Sequence, residues 1–198
     1  MRLKDRSRMT NQIIDDRTIE ACRRGDSGAF RLLFEAHKDR VYSIALCFFD
    51  GDEAAAKDIT QDVFLKLMGT ISQFENRSQF STWLHRIVTN ACLDRKRTLR
   101  RFLSFGDSGE CQFRDGRASS EEKYIRREIE ACVRKVIASM TPKLKMTILL
   151  KYFEDLSYDE IAAAMRCSKG TVASRLNRAH RILARKLSHL RNAFAVGE

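Results

Sequence analysis

Proline is almost absent: Pro142 is the one example in 198 residues. Glycine occurs nine times, mostly between segments of regular hydrophobic period. So few helix breakers, and so few stretches of strict apolar–polar alternation, predict an all-α fold. No run approaches the roughly 20 apolar residues of a membrane-spanning helix. The N-terminal MRLKDRSRMT is charged and leads into no apolar core, so no secretory signal is read and a cytoplasmic location is expected. The six cysteines (Cys22, Cys47, Cys92, Cys111, Cys132, Cys167) form no CxxC pair and have no histidine at zinc-finger spacing. They read as small buried apolar residues, and neither a metal nor any other cofactor is expected. His37, His85, His180 and His189 share no spacing, and Asp58 and Asp62 share a helix face without a third ligand. A metal-dependent nuclease would need such a cluster, so no enzymatic activity is expected.

What the chain does have is positive charge. Lys and Arg total 37 against 26 Asp and Glu, a formal net charge of +11 with a pI near 9.7. That surplus points to a polyanionic partner, nucleic acid first and an anionic membrane surface second.

Periodicity divides the chain. Residues 1–17 are polar and mixed in charge and read as a disordered tail. A short helix ending near Gly25 follows. Asp26 then caps a helix whose stripe is Phe30, Leu33, Phe34, His37, Val41, Ile44 and Phe48. Gly51 breaks the pattern and Asp52 offers a new cap. DEAAAKDITQDVFLKLMGTI, residues 52–71, reads as an amphipathic helix with Ile59, Val63, Leu67 and Ile71 on its apolar edge. After the loop QFENRS (73–78), the segment 79–101 carries Phe80, Leu84, Ile87 and Ala91 inward and ends in Arg95, Lys96, Arg97, Arg100 and Arg101. Residues 102–119 lose all period, contain three glycines and are the expected flexible linker. A second helical domain, 120–192, starts with a helix at about 121–139. Met140-Thr141-Pro142 then opens a helix expected to run to about Phe153, with Thr141 able to cap it and Pro142 at its first position. The expected architecture is two small helical domains, 18–101 and 120–192, joined by that linker.

The most informative break lies in the second domain. Ser157 and Glu160 have capping-box spacing, and Ile161, Ala162 and Met165 give a short apolar face. Ser168 can cap a second helix with Val172, Leu176, Ala179, Leu183 and Leu187 on one side. Thr171, Ser174, Arg175, Arg178 and Arg181 lie on the other. Between Arg166 and Arg191 there are eight Lys or Arg and no Asp or Glu. Two helices joined by a tight turn, the second rich in hydroxyls and arginine, form a helix-turn-helix, whose second helix enters the DNA major groove.

At this point two blocks resemble one family. MTPKLKMTILLKYFEDLSYDEIAAAMRCSKGTVASRLNRAHRILARKL resembles the C-terminal DNA-binding domain of bacterial sigma factors. DITQDVFLKLMGTISQFENRSQFSTWLHRIVTNACLDRKR resembles the domain of the same factors that docks on polymerase and reads the minus-ten element. Their order and the short segment between them resemble the extracytoplasmic-function (ECF) group. The resemblance implies a transcription initiation factor that binds the largest catalytic subunits of core RNA polymerase and recognises minus-ten and minus-thirty-five promoter DNA. It implies polymerase docking through Asp58, Gln61, Asp62, Phe64, Leu65 and Met68. A base flipped from the minus-ten element would be held by Glu75, Asn76, Arg77 and Ser78. Asn90, Asp94, Arg95 and Arg97 would follow the strand, and Trp83 would be either a wedge or a core residue. Lys169, Thr171, Ser174, Arg175 and Arg178 would meet the minus-thirty-five element, with Arg181 and Arg185 touching phosphate. An anti-sigma partner is also implied.

The rival reading is a stand-alone helix-turn-helix regulator that binds a palindrome as a dimer. It would require a ligand or receiver domain in the first half, where the polymerase-docking resemblance lies instead.

Overall fold

A computed structural model of the chain describes residues 15–74, 79–103 and 121–188, and no strand occurs among them. The first helix, α1 (Asp16–Arg23), starts where the Asp15 carboxylate accepts the Thr18 amide at 2.9 Å. That cap draws Asp16 and Arg17 into the helix, two residues earlier than the end expected for the polar tail. Gly25, at φ 87°, turns the chain, and Asp26 caps α2 (Ser27–Phe48) by accepting from Ala29. Leu33, His37, Val41, Ile44 and Phe48 are buried along one side of α2, as the spacing predicts, while Phe30 and Phe34 are only half-buried.

Asp50 and Gly51 both adopt positive φ, a two-residue left-handed turn that reverses the chain. Asp52 then caps α3 (Glu53–Thr70). Ile59, Val63 and Leu67 are buried, and Ile71 joins them from a short 3₁₀ turn at Ile71–Gln73. Helix α4 (Phe80–Leu103) runs two residues past the boundary expected at 101. Its buried stripe of Phe80, Leu84, Ile87, Val88 and Cys92 packs on α3 and α2. Burial drives the Cys92 thiol up to about 12, and it raises Cys22 and Cys47 as well. These thiols therefore stay protonated and act as packing groups.

The second domain comprises α5 (Glu121–Ala138), α6 (Pro142–Ile148), α7 (Tyr158–Met165) and α8 (Lys169–Lys186). Pro142 does open α6, but Thr141 accepts no side-chain capping bond. α6 does not continue as an α-helix to Phe153: it widens into a π turn at Leu149–Phe153, closed by the Glu154 amide donating to the Leu149 carbonyl. Leu144, Met146, Leu150, Ile161, Ala164, Val172, Leu176 and Ala179 form the core of this domain. Each large aliphatic side chain among them contributes roughly 1.5–3 kcal/mol by leaving water.

The two helical domains follow the predicted order, but they are not apart. Helix α4 lies along α7, the π turn rests on α2, and α6 touches α4. Most of the expected linker lies outside the described residues. No helix among the described residues is long and apolar enough to cross a membrane.

Candidate nucleic-acid interface

The helix-turn-helix is fixed by local hydrogen bonds. Ser157 Oγ accepts the Glu160 amide at 3.3 Å, and Glu160 accepts the Ser157 amide at 2.8 Å, a complete capping box. The hydrogen bonds from Ser157 hold the Glu160 carboxyl below its ordinary value. Helix α7 ends on Arg166 in the left-handed region, φ 48° and ψ 56°, and the Cys167 amide donates back to the Ala162 carbonyl at 3.0 Å. Such ends normally take glycine, because a side chain there crowds the following carbonyl. Only Ile161 and Ala164 of α7 are fully buried, whereas Ala162 and Met165 are half-buried at the crossing with α8.

Ser168 begins α8 by accepting the Thr171 amide at 3.1 Å, and its hydroxyl shares a 2.9 Å bond with the Thr171 hydroxyl. Thr171 therefore serves the cap as well as the outer face. Ser174 donates to the Thr171 carbonyl at 3.0 Å. Lys169 pairs with Asp159 at 2.8 Å across the turn, an exposed pair worth at most about 1 kcal/mol and easily exchanged for a phosphate. Arg175 is half-buried, its guanidinium 3.7 Å from Met165 Sδ and 3.6 Å from Cys167 Sγ. Arg178, Arg181 and Arg185 stand exposed further along the helix. Tyr152, 61% exposed on the π turn, reaches His180 of α8 through a 2.6 Å hydrogen bond. Hydrophobic spacing does not signal this brace, because the π turn that presents Tyr152 has no periodic signature.

The other basic surface is the end of α4. Asn90 is half-buried, Asp94 and Arg97 form an exposed ion pair at 3.3 Å, and Arg95 reaches Asp58 of α3 at 3.3 Å. Arg95 thus joins the strand-facing set to the polymerase set. Glu75, Asn76, Arg77 and Ser78 lie outside the described residues. Trp83 is 9% exposed and leans on Phe74 and Phe80 at ring separations of 5.2 and 6.0 Å. Of the two readings, wedge or core, its surroundings are those of a core residue, because three aromatic rings close on one another there.

Gln61, Phe64, Leu65 and Met68 of the expected polymerase set line an open apolar groove of about 410 Å³ between α2 and α3, whereas Asp58 and Asp62 lie outside its lining and Asp58 turns to Arg95 of α4. Leu65 and Met68 are 57% and 55% exposed at its rim, so that rim and groove make one contiguous apolar patch of the kind that marks an interaction site. Asp58, Gln61 and Asp62 are exposed beside them. Phe64 differs from the expectation: it is buried, edge-on to Phe34 at 4.7 Å, and forms the floor of the groove. Phe30, Phe34 and Tyr42 complete the wall. Reading Phe30 and Phe34 as core missed this, although their place at the edge of the buried stripe was the available signal. No group of His, Cys, Asp and Glu suited to a metal ion occurs among the described residues.

Comparison with known proteins gives the family. The family model described as Sigma-70 region 2 matches residues 33–102, and that described as Sigma-70, region 4 matches residues 130–183. The RNA polymerase sigma-H factor of Pseudomonas aeruginosa is 32% identical over 190 residues, covering 92% of this chain and 98% of that protein. The ECF RNA polymerase sigma-E factor of Escherichia coli K12 is 31% identical over 197 residues, with the same coverage of 92% and 98%. Among solved structures, CnrH in complex with the cytosolic domain of CnrY aligns with TM-score 0.61 and 23% identity, over 91% of this chain and 98% of that one. The sigma factor RpoE in complex with the anti-sigma factor NepR from Bartonella quintana aligns with TM-score 0.63 and 20% identity, over 80% and 96%. These two structural likenesses concern the fold.

Proposed function

The chain belongs to the ECF group of RNA polymerase sigma factors, and from that premise we propose how its surfaces divide the work of starting transcription. The factor joins core RNA polymerase and directs it to promoters. The α2–α3 groove, with Leu65 and Met68 at its rim and Asp58, Gln61 and Asp62 beside it, is the polymerase seat in the first domain, 18–101. Glu75, Asn76, Arg77 and Ser78 hold an unstacked minus-ten base, and Asn90, Asp94, Arg95 and Arg97 follow the strand. Lys169, Thr171, Ser174, Arg175 and Arg178 in the second domain, 120–192, meet the minus-thirty-five element in the major groove. Residues 102–119 connect the two.

The observation that carries this reading is the pairing of an exposed apolar groove with two basic surfaces in one chain. A stand-alone regulator needs the basic helix but has no use for a polymerase seat in its first half. The work is positional and electrostatic, so the protein performs no reaction of its own. It acts in the cytoplasm, where the promoter and polymerase are. An anti-sigma partner is part of the proposal, supported by the partner named with the sigma factor in the RpoE–NepR structure. The test is run-off transcription with core polymerase on a genomic fragment library, together with co-elution of the chain and the core enzyme. Discrete transcripts that depend on the chain are expected. No transcripts and no co-elution would end the proposal, and tight binding to a duplex palindrome without polymerase would favour the stand-alone regulator.

A further inference from the structure

The seam between the two domains holds charges that a simple contact would not bury. Glu154, at the end of the π turn, has a side chain 1% exposed. Both of its ion-pair partners belong to the other domain: Arg40 Nε of α2 donates to it, and His85 Nε2 of α4 lies 2.9 Å away. His85 is equally enclosed, its side chain 4% exposed. Lys145 of α6, with a side chain 5% exposed, is bonded to Asp50 in the left-handed turn that ends α2. Its ammonium also lies 5.7 Å from the Phe48 ring. Both buried charges, Glu154 and Lys145, therefore belong to the second domain, and the groups that compensate them belong to the first.

A buried ion is tolerated when a partner and hydrogen bonds replace its water, and losing the partner leaves it strongly unfavourable unless water returns. Within this chain, water returns to Glu154 and Lys145 only if the domains part. The seam is thus a two-position element: closed with both ionic contacts made, or open with all these groups hydrated.

The function requires the open position. Sites named minus ten and minus thirty-five lie about 25 base pairs apart, roughly 85 Å along B-DNA at about 3.4 Å per pair. A compact chain of this length has a radius of gyration of only about 16 Å. With α4 lying along α7, the minus-ten helix and the helix-turn-helix cannot occupy both sites at once. The polymerase groove is different, because Leu65 and Met68 stay exposed in the closed arrangement.

We propose that the Glu154–Arg40–His85 and Lys145–Asp50 contacts form an intramolecular latch that holds this sigma factor in a resting form able to meet polymerase but unable to span a promoter. Polymerase seats on the closed chain, and engagement of the two promoter sites opens it. The latch rests on the sigma reading above. It lowers the apparent affinity for promoter complexes by the fraction of chain that is open.

The test uses the full chain with Asp50→Lys, Lys145→Glu and the double charge swap, followed by small-angle scattering and by titration into run-off transcription with core polymerase. Each single reversal should expand the particle and lower the concentration needed for half-maximal transcription, by roughly tenfold if the open form is a minor species. The double swap should restore the compact particle and the original titration. Singles that scatter like the wild type, or a swap that stays expanded, would overturn the latch. So would a wild-type chain that is already extended. Should a reversal lose helical circular dichroism, Glu154→Gln, which removes charge while keeping shape, must give the same expansion or the latch fails. If the wild type initiates nothing with core polymerase, the sigma reading is lost, while the scattering still decides whether the seam exists.

Discussion

Arg175 lies within α8 with its guanidinium folded back against Met165 and Cys167 at the turn of the helix-turn-helix. Those sulfur contacts are weak, so the side chain can swing to a guanine edge without forfeiting a strong bond. Arg175→Ala should weaken minus-thirty-five recognition by about 1–3 kcal/mol, the discrimination carried by one bidentate arginine–guanine pair. Holoenzyme binding to matched and scrambled minus-thirty-five sites would measure it, with core binding followed by anisotropy. Equal losses in both assays would count against the assignment. His37 makes a different kind of prediction. Burial foremost, with the charge of Arg40 and the neighbouring His85, lowers its value from 6.5 to about 4, and the ring packs against Phe80. The unfolded chain takes up a proton below about pH 6.5 that the folded chain refuses until about pH 4, so the stability from a neutral His37 is complete above that window and declines across it. The decline amounts to at most about 3 kcal/mol. Burial alone would raise Glu154, but the His85 hydrogen bond and the Arg40 charge outweigh it and hold its carboxyl below 4.5. Its contribution is present above 4.5 and is lost only as pH falls further, leaving the upper window to His37. Urea midpoints for the wild type and His37→Gln across this window should diverge in slope. Parallel curves would remove His37 as the cause.

At the level of elements, the caps were legible because each needs only three or four neighbouring residues. Asp26, Asp52, Ser157 with Glu160, and Ser168 all make the bonds their spacing predicts. Thr141 did not, because Pro142 at the first helical position fits without a side-chain cap. The π turn was not legible either, since one wide turn changes neither composition nor period enough to register. The capping box gives a test of its weight. Ser157→Ala should cost about 1 kcal/mol in thermal or urea unfolding, and Ser157→Asp should restore most of it. Promoter contacts would then weaken only as far as α7 loosens beneath α8. A larger loss of DNA binding than of stability would show that Ser157 touches DNA itself. The groove between α2 and α3 was half legible. Leu65 and Met68 were named from the resemblance, whereas Phe64 proved to be floor and Phe30, Phe34 and Tyr42 proved to be wall. Since Met68 is 55% exposed, Met68→Asp should leave the melting temperature almost unchanged and weaken core polymerase binding at least tenfold, a loss of about 1.4 kcal/mol or more. Undiminished co-elution with core enzyme would move the polymerase seat elsewhere.

At the scale of the whole molecule, the sequence announced two domains and concealed that they touch. The reason is distance along the chain: Glu154 lies 69 residues from His85 and 114 from Arg40, and Lys145 lies 95 from Asp50. Period, caps and turns report neighbours within a few residues, and a charge pair across such separations leaves no trace in them. Composition was misleading here too, because in a chain of net charge +11 any single Glu or Lys reads as solvated surface. The seam makes a prediction for unfolding. Removing one partner of a buried ion pair ordinarily costs about 3–5 kcal/mol, because the remaining charge stays buried. In Glu154→Ala that cost has a ceiling, because the domains can part and let water reach Arg40 and His85. The loss should therefore stop at the free energy of the seam, and where the wild type is expected to unfold in one cooperative transition, the variant should show two, one per domain. Urea unfolding followed at Trp83, which reports the first domain alone, and by far-ultraviolet circular dichroism, which reports both, would separate them. Coincident transitions in Glu154→Ala, shifted by the full cost of an unpaired buried charge, would mean that Arg40 and His85 stay enclosed and that the two domains unfold as one body.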